Sequence, residues 1–184
     1  LTHRENPSTR HAATQRLANV LATITKDGDR VLIGFDFPFG YATGTAERLR
    51  MPGLPWRHMW QAITDDLDDA SDNLNNRIDV AERLNERLSG EPFPFWGNVR
   101  EEKRPYLVRR GRRPHRADDL TEWRLCDGRA KTTSSVWQLA GAGSVGSQVL
   151  TGIPRLLQLR TDPRLAMISH IWPFETGLRH DPHS

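Results

Sequence analysis

Apolar residues recur at helical spacing in four stretches of the chain. Ala12, Ala13, Leu17, Val20, Leu21 and Ile24 form one stripe behind Pro7-Ser8-Thr9, with Gly28 where a helix stop belongs. Trp56, Met59, Trp60, Ile63 and Leu67 form a second, after the break at Pro52-Gly53-Leu54-Pro55. Leu74, Ile78, Ala81, Leu84 and Leu88 form a third, closed by Gly90. Val149, Leu150, Ile153, Leu156 and Leu157 form a fourth, which Pro154 is expected to kink or restart. Shorter helices are expected over 45–50 and 117–126, the latter with Asp118 or Asp119 near its start.

Two runs break the helical rhythm. Val31 to Phe37 is apolar except for Gly34 and Asp36, and is bounded by Gly28, Pro38 and Gly40. Leu165 to Trp172 is the second such run. Both read as strands buried on two faces, and Val136 to Ala140 reads as a short strand or buried turn. Helix, tight turn and buried strand make half of a crossover unit, so an α/β class is expected.

The stretch 91–116 differs in kind. Pro92, Pro94, Pro105 and Pro114 exclude long helices, while Phe93, Phe95, Trp96 and Tyr106 alternate with Arg100, Lys103, Arg104, Arg109, Arg110, Arg112, Arg113 and Arg116. Basic residues among aromatics can follow a phosphate backbone and stack bases, which makes Arg109, Arg110, Arg112 and Arg113 candidate nucleic-acid contacts. The alternative is a loop whose rings enter the core while the guanidinium groups stay in water.

Composition narrows these readings. The 184 residues suffice for one domain, and six Trp and six Phe supply core volume despite 36% hydrophobic residues and a mean hydropathy of −0.64. No apolar stretch reaches the roughly 18 residues that span a bilayer, and no signal-peptide pattern follows Leu1, although the chain does not start with Met. A lone cysteine, Cys126, excludes an intramolecular disulfide and fits a cytoplasmic protein. The net charge of +3 is too small to imply a nucleic-acid partner by itself.

The candidate chemistry starts at Asp36, a lone carboxylate at the end of the first apolar run. An ionised Asp in an apolar setting must be hydrogen-bonded or hold a metal; capping the Pro38/Gly40 turn is the plainer role. Glu175 repeats the arrangement, in Trp172-Pro173-Phe174-Glu175-Thr176-Gly177. If the two runs are parallel neighbours, Asp36 and Glu175 meet at one sheet edge and could hold Mg²⁺ or Mn²⁺ for phosphoryl chemistry. Gly141-x-Gly143-x-x-Gly146 matches a dinucleotide fingerprint in letters, but Asp162 precedes the next apolar run and does not close it, so a nicotinamide site is rejected. A phosphate or other anion could still bind at Gly143 and Ser144 with Lys131 and Arg104; close helix packing also calls for glycine there. Asp65, Asp66, Asp68 and Asp69 read as a solvated acidic face, and His180-x-x-His183 as a polar tail. No His-Glu-x-x-His or Gly-x-Ser-x-Gly motif occurs.

Gly34-Phe35-Asp36-Phe37-Pro38-Phe39-Gly40, Gly141–Gly146, Gly152-Ile153-Pro154 and Trp172–Gly177 together resemble an uncharacterised bacterial family described as predicted RNase H-like nucleases. The resemblance implies an RNase H-like α/β domain over 1–184, with a helical and basic-loop insertion at 45–125. It implies Asp36 and Glu175 as members of an acidic, metal-binding cluster. RNase H-like domains begin with a strand carrying an essential Asp, and none precedes Arg4, so the chain is expected to be incomplete at both ends. The leading expectation is a metal-dependent phosphodiester hydrolase. The alternatives are a nucleotide- or phosphorylated-cofactor-binding domain, non-catalytic or linked to cofactor biosynthesis, and a protein-interaction module using the helices of 56–88.

Overall fold

The computed structural model describes residues 4–130 and 132–178. Among these, α1 is Arg10–Lys26, α2 Thr45–Arg48, α3 Pro55–Asp66, α4 Arg77–Ser89 and α5 Gly146–Thr161, with a 3₁₀ turn at Asp127–Arg129. The helix signals behave as their chemistry requires. The Thr9 hydroxyl accepts from the Ala12 amide at 3.2 Å and caps α1. Pro55 opens α3, where its missing N–H costs nothing. Gly90, with φ of 66°, closes α4. Pro154 lies inside α5, which continues past it as one helix.

The expected helix at 117–126 does not form. Its polar side chains bind local backbone instead: Asp119 accepts from the Arg116 amide at 2.7 Å, and Asp127 accepts from the Arg124 amide at 2.9 Å. Such bonds compete with a helix.

The expected RNase H-like α/β sheet is overturned. The described residues form no strand, and extended pairing is confined to isolated bridges at Asp69–Asn75, Trp96–Gln138 and Arg104–Leu107. Val31 to Gly34 makes no hydrogen bond among the described residues and is exposed to solvent. In the second run, Leu165 and Ala166 donate to the Asp162 carbonyl at 2.8 Å, and Ile168 donates to Leu165, so the chain turns where a strand was expected. A short apolar run carries no periodicity that separates strand from turn.

The chain divides into two compact units, the boundary falling within α5. The first comprises the described residues of Leu1–Phe35, Ala70–Leu74 and Arg155–Ser184. Its core joins Ala18 and Leu21 of α1 to Leu159 and Leu165, with Leu17, Ala22 and Phe35 packed against them. Asn73 anchors the 70–74 loop: its side-chain oxygen accepts from the Arg10 amide, and its carbonyl accepts from the Arg10 guanidinium, both at 2.9 Å.

The second unit comprises Asp36–Asp69 and Asn75–Pro154. Here α2 packs on both α3 and α4. Trp60, Ile63, Val80, Leu84, Phe95, Trp137 and Val149 are fully or almost fully buried. Tyr41 stacks on Trp137 at 4.9 Å between ring centres, and Phe95 meets the same indole edge-on at 5.0 Å. Burial, with no hydrogen-bond partner among the described residues, pushes the Tyr41 hydroxyl far above the ordinary tyrosine value.

Candidate anion-binding cleft

The cleft in the second unit is built outward from one buried amide. Asn85 on α4 is 0% exposed. Its Nδ2 donates to the Phe95 carbonyl at 2.8 Å and the Tyr106 carbonyl at 2.7 Å, while its Oδ1 accepts from the Phe95 amide at 2.7 Å. One side chain thus holds two loop segments against the helix. The next residue, Trp96, bonds through its backbone to Trp137 and Leu139 at 3.1 and 2.9 Å. Gly97 and Asn98 both donate to the Val108 carbonyl at 3.0 Å. Gly97 has φ of 93°, and a Cβ there would stand 2.9 Å from the Ala140 nitrogen, so no side chain is tolerated.

These bonds bring 96–99, 109–111 and 138–141 around an open cleft of about 350 Å³. Trp96 and Val99 supply apolar wall, Gln138 an amide, and Arg109 and Arg110 the charge. Gly141, with φ of 104°, borders it. The Trp96 indole N–H is buried without a partner among the described residues.

Charge pairing distinguishes the arginines of 100–116. Arg104 is held by Glu82, Asp79 and Glu102, and Arg100 by Asp79 and Glu102. Arg112 pairs with Glu122. Arg113 lies between Asp119 and Glu91, with its guanidinium 4.0 Å from the centre of the Phe93 ring, and Arg116 also reaches Glu91. Hydrogen bonding to Arg113 holds the Asp119 carboxyl well below the usual aspartate range, and Arg116 and Arg113 lower Glu91. Arg109 and Arg110 alone in this series make no hydrogen bond or ion pair among the described residues; both are exposed and both line the cleft.

The sequence candidates are therefore distributed as follows. Arg109 and Arg110 stand at the cleft. Arg104, Arg112 and Arg113 are neutralised by internal carboxylates. Gly143 is exposed, and the Ser144 amide is spent on the Gly141 carbonyl at 3.1 Å. Lys131 lies outside the described residues, as do His180 and His183. A Cβ on Gly146 would meet the Gln138 and Val136 carbonyl oxygens at 2.6 and 2.7 Å, so this glycine serves close packing.

Asp36 belongs to the second unit and is exposed, without a hydrogen bond among the described residues. Glu175 belongs to the first, and both of its carboxylate oxygens accept hydrogen bonds. It accepts two bonds of 2.9 Å from Arg160 and one of 2.8 Å from the Ile171 amide. Burial raises its pKa, but these donors outweigh that and hold it below the ordinary glutamate value. A Mg²⁺ or Mn²⁺ ligand needs free oxygen lone pairs, and Arg160 already holds both oxygens of Glu175. No group of three or more His, Cys, Asp or Glu among the described residues could hold a metal. The residues present do not fit the expected metal centre.

Asn85, Trp96 and Gln138 were missed as site residues. Asn85 did leave a signal: it falls on the apolar stripe with Ala81, Leu84 and Leu88, where a polar residue must find buried partners. No helix among the described residues is long and apolar enough to cross a membrane. The chain matches no protein-family model, no curated protein and no solved structure. The RNase H-like resemblance is thus supported neither by a sheet nor by a relative.

Proposed function

We propose that the second unit is a non-catalytic binding module for a small phosphorylated ligand, with a mononucleotide as the best fit. The observation that carries this reading is the placement of Arg109 and Arg110. The other arginines of 100–116 have carboxylate partners, and these two face the cleft without one. Guanidinium groups bind phosphate oxygens in pairs and are favoured where planar, two-pronged recognition is needed. Trp96 and Val99 offer apolar contact for a ring, and Gln138 offers an amide. The volume of about 350 Å³ sits at the low end of ligand sites, which run from roughly 300 to 1,000 Å³, and favours one nucleotide over a dinucleotide. An extended nucleic-acid track is disfavoured, because internal pairing removes most of the charge it would use.

Calorimetric titration with adenosine monophosphate and with inorganic phosphate tests the proposal. Each exposed charge-assisted contact is worth about 1 kcal/mol, so Arg109→Ala and Arg110→Ala should each weaken the nucleotide about fivefold, and the pair more than tenfold. Arg116→Ala, which removes a paired and exposed arginine, should leave affinity unchanged. Equal affinity in the wild type and the double variant would overturn the assignment.

A further inference from the structure

Gln138, in the wall of the cleft, carries an amide that the fold leaves half used. Its Nε2 donates to the Ala140 carbonyl at 3.0 Å. Its Oε1 accepts from nothing among the described residues and is reached by solvent. The reverse orientation of the amide would set Oε1 against the Ala140 oxygen, acceptor against acceptor, so the bond to Ala140 fixes which atom faces outward. Gly141 leaves room for this arrangement, since a Cβ there would stand 3.1 Å from Nε2. A parallel bridge pairs Gln138 with Trp96. Paired residues send their side chains to the same face, and both of these line the cleft. The other polar side chains of the lining offer no acceptor. Arg109 and Arg110 only donate. Asn98 is 2% exposed, with its oxygen held by the Arg100 amide and its nitrogen by the Glu102 carbonyl.

We infer that Gln138 reads the base of the bound nucleotide, its Oε1 accepting a hydrogen bond from an exocyclic amino group on a ring that rests against Trp96. This rests on the mononucleotide reading of the cleft and adds to it the class of base, one that carries an amino group. The chemistry divides between the two sides of the ligand. The arginines, donors only, suit the phosphate and cannot accept from an amino group. The one available side-chain acceptor of the lining stands next to the indole. A ring lying on an aromatic face carries its substituents in its own plane, beyond the ring edge, so an amino group is the part of the base that extends towards a residue beside Trp96. A carbonyl in that place would set oxygen against oxygen and leave the Gln138 acceptor unsatisfied.

Calorimetric titration with adenosine monophosphate and with purine riboside monophosphate, which lacks only the exocyclic amino group, tests the inference. The wild type should bind adenosine monophosphate about tenfold more tightly, the worth of one well-formed hydrogen bond. Gln138→Leu should bind the two nucleotides equally, with adenosine monophosphate reduced to the level of its analogue. Inorganic phosphate, which engages the arginines alone, should bind the wild type and this variant alike. Equal binding of the two nucleotides by the wild type overturns the inference and leaves the mononucleotide reading in place. A preference for adenosine monophosphate that survives in Gln138→Leu also overturns it. So does loss of phosphate binding in that variant, which would make Gln138 a support of the loop and not a reader of the base. Failure of the wild type to bind either nucleotide overturns the mononucleotide reading itself, and this inference with it.

Discussion

Arg109 and Arg110 differ from their neighbours by their surroundings and not by their type. The sequence shows a run of arginines; it does not show which carboxylates return from 20 or more residues away to neutralise most of them, as Glu82 does for Arg104 and Glu91 for Arg113. The same pairing makes stability depend on pH in a definite direction. The folded pKa of Asp119 is depressed by Arg113. Its contribution is therefore present above the unfolded aspartate value, near 3.9, and is lost as the pH falls below it. Asp162, held at about 2 by Arg164 in the first unit, loses its contribution between roughly pH 4 and 2. Burial first, and then Arg112, also lower the His115 pKa, so an earlier loss begins as the pH falls below about 6.5. Thermal melts at stepped pH should show this progressive acid destabilisation. Arg113→Ala should cost roughly 2 kcal/mol at pH 7 and flatten the loss below pH 4, since Asp119 is only 8% exposed and would be left without its main partner. An unchanged acid profile in that variant would contradict the pairing.

At the scale of elements, helices were legible because a stripe at helical spacing, a Thr cap and a Gly stop each point the same way, as in α1 and α4. The two apolar runs were not legible. A strand is defined by a neighbour, and no local signal in Val31–Phe37 reports whether one exists. The glycine-rich turn illustrates the same limit, since its letters suit a phosphate while its third glycine packs against the 136–138 carbonyls. Asn85 is the element-level keystone of the cleft. Asn85→Leu would leave the Phe95 amide and the Phe95 and Tyr106 carbonyls unpaired in a buried site. It should cost about 3 kcal/mol in chemical denaturation. Asn85→Asp keeps the acceptor and loses both donors, and should also abolish ligand binding by releasing the 96–98 segment. Wild-type stability in the Leu variant would show that the amide does not organise the loops.

For the whole molecule, the decisive correction is the absence of a sheet among the described residues. The motifs that suggested an RNase H-like domain are real as letters, but Asp36 is a solvent-exposed residue and Glu175 an arginine-bound cap. Infrared spectra at low protein concentration should show helix and irregular structure without a dominant sheet band; a strong sheet band there would restore the α/β reading. The central claim is that internal pairing leaves two arginines of the basic stretch for a ligand. Arginine Nε–Hε resonances followed during titration with adenosine monophosphate test it most directly. The account predicts that Arg109 and Arg110 shift in a saturable manner, together with the Trp96 indole, while Arg104, Arg112 and Arg113 stay fixed. Shifts at the paired arginines with none at Arg109 and Arg110, or no saturable shift at all, would contradict it.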